Sequence, residues 1–146
     1  MGKTGGGIRG ASNKSSAAAR KREGYVRAMQ SLTSKNIIRY VGNDKHIKIK
    51  FNRRGIEHVA NDVLEKKIGL SKNQLSNLDS RIRNATYVKS SVLYKKRSDN
   101  IDKFYYFKDK SKNIYYHIAE EATKSSNGKV KLKRYLYAIK KTIPKK

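Results

Sequence analysis

The sequence predicts an α+β domain in which two helices pack on one face of a mostly antiparallel sheet of about four strands, behind a basic N-terminal tail. Three observations carry that prediction. The stretch "KHIKIKF" alternates polar and apolar residues; apolar residues then recur at helical spacing through two successive segments; and beyond Asn84 the chain breaks into short aromatic-rich runs separated by turn residues. Helices and strands are segregated along the chain, which opposes the alternating order of a parallel α/β sheet.

The first segment, "MGKTGGGIRGASNKSSAAARKREG", is rich in Gly, Ser, Ala, Lys and Arg, with almost nothing to bury. It is expected to be flexible in isolation and to order on a polyanion, with Arg20, Lys21 and Arg22 contacting phosphates. Its "GKT" resembles the end of a phosphate-binding loop, but that motif needs a buried strand and an upstream glycine before it, and Gly2 is the second residue of the sequence. A short helix is expected from about Ser16, interrupted at Gly24. The tail is assigned to residues 1–41 and the α+β domain to residues 42–146.

In the domain, Ile47, Ile49 and Phe51 mark one side of a half-buried strand. Ile56, Val59, Ala60, Val63, Leu64 and Ile68 then trace the apolar stripe of a helix ending near Gly69. Ser71 and Gln74 have capping-box spacing, and Leu75, Leu78 and Ile82 form the stripe of a second helix reaching about Asn84. "TYVKSS", "DKFYYFK", "NIYYHIA" and "KRYLYAIKK" are the expected strands. "VLYKKRSDNI" reads as a basic loop or irregular edge, and "EEATKSSNGKVK" as a loop. Strand alternation puts Ile114, Tyr116 and Ile118 on one face and Tyr115, His117 and Ala119 on the other. It likewise groups Tyr135, Tyr137 and Ile139 against Leu136 and Ala138.

The charge narrows the function classes. A net charge of +25 over 146 residues exceeds what solubility requires, and the compact chain repels itself unless a polyanion is close by. Nucleic acid is the expected partner, RNA in preference. A membrane partner is not expected, because no Lys-rich helix carries bulky apolar residues on its opposite side. With no cysteine, three scattered histidines and eleven acids, disulfides and Cys-based zinc sites are excluded, and no metal or other cofactor is expected. No apolar run approaches a membrane span and no signal-peptide core is visible, so the expected setting is the cytosol, a virion, or delivery to another cell.

Metal-free RNA cleavage needs a base for the 2′-hydroxyl proton, an acid for the leaving 5′-oxygen, and cations for the charge on the phosphorane. His58 and His117 are the candidates for the first two roles, with Tyr137 or Lys89 as substitutes. Arg53, Arg54, Lys89, Lys95, Lys96 and Arg97 are candidates for the third. Tyr115 shares a face with His117 and suits base stacking. At about 100° per residue, His58 lies on the polar side of its helix with Arg54 and Asp62 one turn away. It is therefore either a solvated histidine loosely paired with Asp62 or a titrating group bordering a cleft. His46 has no companion of suitable type, and no nucleophile elbow is visible.

The segments "KIKFNRRGIEHVANDV", "ATYVKSS", "DKFYYFKD", "NIYYHIAEE" and "KRYLYAIKKTI", spread over about residues 42 to 143, resemble the phage and mobile-element domains grouped with the barnase/EndoU/colicin/RelE-like (BECR) nucleases. They are similar also to related domains of large polyvalent proteins of mobile elements. The resemblance implies a small RNase-like α+β fold whose active surface lies on the sheet, with contributions from the first helix. It implies a toxin or effector setting with an immunity protein as a possible kind of partner. It carries no diagnostic catalytic motif. The function expected on these grounds is a metal-independent endoribonuclease. The alternative is a noncatalytic basic component of a virion or ribonucleoprotein assembly, which the tail and charge fit equally.

Overall fold

A computed structural model describes residues 9–65, 68–92 and 100–144. Helix α1 (Arg9–Met29) leads through a 3-10 turn (Gln30–Ser34) into the hairpin β1 (Asn36–Tyr40) and β2 (His46–Lys50). Helices α2 (Arg53–Glu65), α3 (Lys72–Ser76) and α4 (Leu78–Asn84) follow, and then strands β3 (Thr86–Val92), β4 (Ile101–Asp109), β5 (Ile114–Lys124) and β6 (Val130–Lys140). The strands form a six-stranded sheet in the order β1-β2-β6-β5-β4-β3. All neighbours are antiparallel except β2 and β6, which run parallel and share the single register pair Lys50 and Tyr135.

The α+β class stands, but the architecture is larger than the expected two helices and about four strands. The main reason lies in the segment assigned to the tail. Met29 and Leu32 are fully buried, Ile37 and Val41 join them in the main core, and Tyr25, Val26 and Ala28 pack against it, so the segment assigned to the tail contributes to the core from Tyr25 onward. Nor does Gly24 interrupt α1: the helix runs through it, because tertiary packing of Tyr25, Val26 and Ala28 on the core offsets the ~1 kcal/mol cost of a helical glycine. The β1–β2 turn rests on Gly42, Asn43 and Asp44, all left-handed at φ +87°, +50° and +57°, a conformation these residue types tolerate best.

The capping box forms as expected: Gln74 N donates to Ser71 Oγ at 3.1 Å and Ser71 N to Gln74 Oε1 at 2.9 Å. The second helix nevertheless breaks at Asn77 into α3 and α4, with Leu75, Leu78 and Ile82 buried as one stripe. The expected loop "EEATKSSNGKVK" is mostly strand, since β5 and β6 extend to Lys124 and back from Val130 around a short turn. Strand pairing satisfies backbone groups whatever the side chains, so polar sequence hid both extensions.

One face of the sheet carries the helices. There Ile47, Ile49, Tyr105, Phe107, Tyr116, Ile118, Leu136 and Ile139 meet Val59, Val63, Leu75 and Ile82. On this side Tyr116 Oη donates to Asp109 Oδ2 at 2.6 Å, and Arg81 Nε donates to the same oxygen at 3.1 Å, tying α4 to the β4–β5 hairpin. The second face carries its own cluster of Ile101, Phe104, Tyr106, Ala119 and Tyr135, with Tyr137 and Ile143 against it. The β5 alternation is as expected, but that of β6 is not. His117 pairs with Ala138 and Ile118 with Leu136, leaving Tyr137 as the extra residue of a bulge. Ile139 consequently joins Leu136 on the helix side while Tyr135 and Tyr137 remain on the other.

Past Tyr135 the β6 edge is covered by α2 instead of a strand. A Cβ on Gly55 would stand 1.9 Å from the Leu136 carbonyl oxygen, so only glycine permits the approach. Seven residues later Asp62, 4 % exposed, accepts the Ile139 N–H at 3.1 Å through Oδ2. Helix rise over Gly55 to Asp62 and strand rise over Leu136 to Ile139 are both about 10 Å, so the helix keeps step with the edge. Asp62 is thus a buried edge cap, which also keeps the loose approach to His58 that the helical wheel proposes.

Gly55→Ala is expected to destabilise the fold by about 3 kcal/mol or more through backbone displacement. Asp62→Ala is expected to cost about 1–3 kcal/mol by leaving a buried N–H unpaired, with Asp62→Asn recovering part of it. Urea denaturation of the three variants against the parent chain measures both effects.

Candidate nucleic-acid interface

The tight seat of α2 places its Arg54 and His58, one turn apart, beside the second face. The His58 ring lies on the Tyr137 ring with centroids 4.3 Å apart and planes tilted by 30°. The Arg54 guanidinium sits 5.7 Å from the centre of the same ring. Arg54 Nη1 also reaches Glu121 Oε2 at 3.5 Å and the Tyr135 hydroxyl at 3.4 Å, and that hydroxyl donates to Glu121 Oε2 at 2.7 Å. The β6 bulge makes this assembly possible by turning Tyr137 toward α2. His58 Nδ1 stands 3.4 Å from Asp62 Oδ2, outside hydrogen-bonding geometry, and is buried without a hydrogen-bond partner among the described residues. The side chain is 33 % exposed, so its accessible part is the rest of the ring.

A groove of about 450 Å³ opens next to this centre, in the wedge where β2 and β6 diverge from their single register pair. Lys48, Lys50, Lys131, Lys133, Arg134 and Tyr135 are among the residues that line it. The four lysines are exposed. Arg134 is committed to Glu120, whose Oε1 it meets at 2.7 Å. The basic groove therefore shares Tyr135 with the Arg54–Glu121 assembly.

His117 occupies the same face but a different environment. It is 7 % exposed, packed edge-on to Tyr106 at 4.8 Å, and its Nε2 lies 3.2 Å from the Thr142 carbonyl oxygen. Burial pushes its pKa down to about 4, and Lys140 and His58 add to this against the opposing Thr142 carbonyl and Asp62. A ring so enclosed is neutral near pH 7 and holds the C-terminal segment against the sheet. Ile143 packs on the second-face cluster, and Lys89 Nζ donates to the Pro144 carbonyl.

Of the expected site residues, the structure brings together His58, Tyr137 and Arg54. Lys89 is turned to the C-terminal segment. Arg53 pairs with Glu57 at 2.9 Å on an exposed helix surface, and Tyr115 lies under Lys108 at 5.6 Å. Arg20 and Lys21 are exposed on α1, whereas Arg22 Nε donates to Asn61 Oδ1 at 2.6 Å and fastens α1 to α2. Lys95, Lys96 and Arg97 lie outside the described residues. Sequence reasoning missed Glu121, Tyr135, Lys48, Lys50, Lys131 and Lys133. The lysines and Tyr135 do alternate along their strands, but Glu121 sat in an expected loop, and no local signal joins it to Arg54.

His117 gives a measurable pH dependence. Its folded pKa is below the unfolded value, so the unfolded chain binds the proton first, and stability is lost as pH falls from about 6.5 toward about 4. His117→Phe is expected to flatten that part of the stability profile, by an amount on the order of 3 kcal/mol across the window, in denaturation measured at successive pH values.

No protein-family model, curated protein or solved structure matches this chain.

Proposed function

We propose that this chain binds RNA on the second face of its sheet and cleaves it without a metal ion at the His58 centre. The observation that carries the reading is the convergence of His58, Arg54, Glu121, Tyr135 and Tyr137 beside a lysine-lined groove that shares Tyr135 with them. Imidazole is the side chain that most readily both takes and gives a proton near neutral pH. With Glu121 as the second proton-transfer group, the pair supplies a base for the 2′-hydroxyl and an acid for the 5′-oxygen. The partly exposed Arg54 supplies cationic charge for the phosphorane, and the buried Tyr135 hydroxyl holds Glu121 in place. This replaces the two-histidine scheme, since His117 is enclosed and bonded to the Thr142 carbonyl. The resemblance to the BECR nucleases agrees with this chemistry. It also supports a phage or mobile-element toxin or effector, acting in a cytoplasm with an immunity protein as its counterpart.

One observation favours the alternative of a noncatalytic nucleic-acid component in a virion or ribonucleoprotein assembly: Glu121 is already engaged by Tyr135 and Arg54. Incubation of a labelled RNA pool in EDTA separates the two. The expected result is cleavage leaving 2′,3′-cyclic phosphate ends, reduced about 100-fold or more by His58→Ala and by Glu121→Gln in folded protein. RNA bound tightly but left intact by the parent chain would assign the assembly role.

A further inference from the structure

We infer that the β1–β2 hairpin is a subsite for a single-stranded segment of RNA, with an unpaired base on Tyr40 and His46 and phosphates on Lys48 and Lys50. The inference rests on the sheet face being an RNA surface and adds to it the form of RNA recognised. Register decides which side chains share that face. Tyr40 pairs with His46, Ile38 with Lys48 and Asn36 with Lys50, while the intervening Ile37, Ile47 and Ile49 are buried under the helices. The outward ladder therefore consists of an aromatic pair, then a lysine beside an exposed isoleucine, then a second lysine. Lys50 pairs in turn with Tyr135, and Tyr135 belongs to the Arg54–Glu121 centre. From His46 to Lys50 the ladder spans about 13 Å, and one more strand spacing of about 5 Å reaches Tyr135. It forms a continuous track into the centre.

Among the described residues, neither Tyr40 nor His46 joins a hydrophobic cluster. Tyr40 is 54 % exposed, yet its ring lies 3.9 Å from that of His46 at a tilt of 37°, presenting two adjoining rings to solvent. Ile38, 61 % exposed, continues the apolar surface between this pair and the lysines. Rings with cations at every second strand position suit a strand whose bases stack and whose phosphates need countercharge. Asp44 in the turn is the one acidic residue between Asn36 and Lys50, against the cations Arg39, Lys45, Lys48 and Lys50. A duplex offers this surface only its phosphates and its shallow minor groove, because its bases are stacked internally, so the aromatic pair gives a preference for the single strand. Strand addition by a partner protein along the β1 edge is the competing use of this hairpin, and Lys48 on the neighbouring strand does not oppose it.

The test uses the full chain and a short fluorescein-labelled strand of 2′-O-methyl RNA, which binds but lacks the nucleophile for cleavage, alone and annealed to its complement. The expected result is preference for the single strand, weakened about tenfold by Tyr40→Ala, retained by Tyr40→Phe, with duplex binding changed less than about twofold. The Lys48→Ala/Lys50→Ala chain is expected to lower the slope of log K against log salt by about 1.4 for the single strand. Single-strand binding by Tyr40→Ala equal to that of the parent, or an unchanged salt slope, overturns the subsite. If that variant chain still cleaves RNA in EDTA, the His58 centre stands while the subsite falls. Failure of the parent chain to bind either RNA form overturns both.

Discussion

The seating of α2 along the free edge of β6 is the constraint on which the rest of the molecule depends. A strand edge in the middle of a sheet needs a partner for its N–H groups, and β2 supplies one only at Lys50 and Tyr135. Gly55 and Asp62 let a helix do what a strand would otherwise do. The first removes a Cβ that would collide with the Leu136 carbonyl, and the second accepts the Ile139 N–H. Because the helix lies beside the sheet at this point, its polar surface borders the second face, and Arg54 and His58 meet Tyr135 and Tyr137 across the junction.

The same junction accounts for the basic groove. Strands β2 and β6 touch at one pair and separate toward their N-terminal ends, so the wedge between them is lined by outward lysines from both. The bulge at Tyr137 completes the arrangement by keeping Tyr135 and Tyr137 on the side of the groove while returning Ile139 to the core. Two backbone irregularities, a single-pair parallel contact and one extra residue, therefore determine where charge and aromatic rings gather.

On the same face, His58 and His117 show how environment separates residues of one type. His58 keeps part of its ring accessible while its Nδ1 is sealed beside Asp62. His117 is enclosed by Tyr106 and Phe104, bonded to the Thr142 carbonyl, and held neutral by burial. Two side chains that look interchangeable in the chain thus become an accessible proton-transfer candidate and a packing element under the C-terminal segment.

Local periodicity was sufficient for α2, for the stripe of Leu75, Leu78 and Ile82, for the capping box at Ser71, and for the facing of Ile114, Tyr116 and Ile118, since burial on one side leaves a direct trace in residue spacing. Charge was sufficient for the expectation of a polyanionic partner. What local pattern left open were the core role of Met29 and Leu32, the extension of β5 through Glu121, the inversion of facing after Tyr137, and the meeting of Arg54 with Glu121 67 positions along the chain. Each depends on contacts distant in sequence. Composition and spacing determined the class and charge of this protein, whereas the pairing of β2 with β6 and the seat of α2 decided where its chemistry converges, because register and edge coverage are set by the assembled sheet.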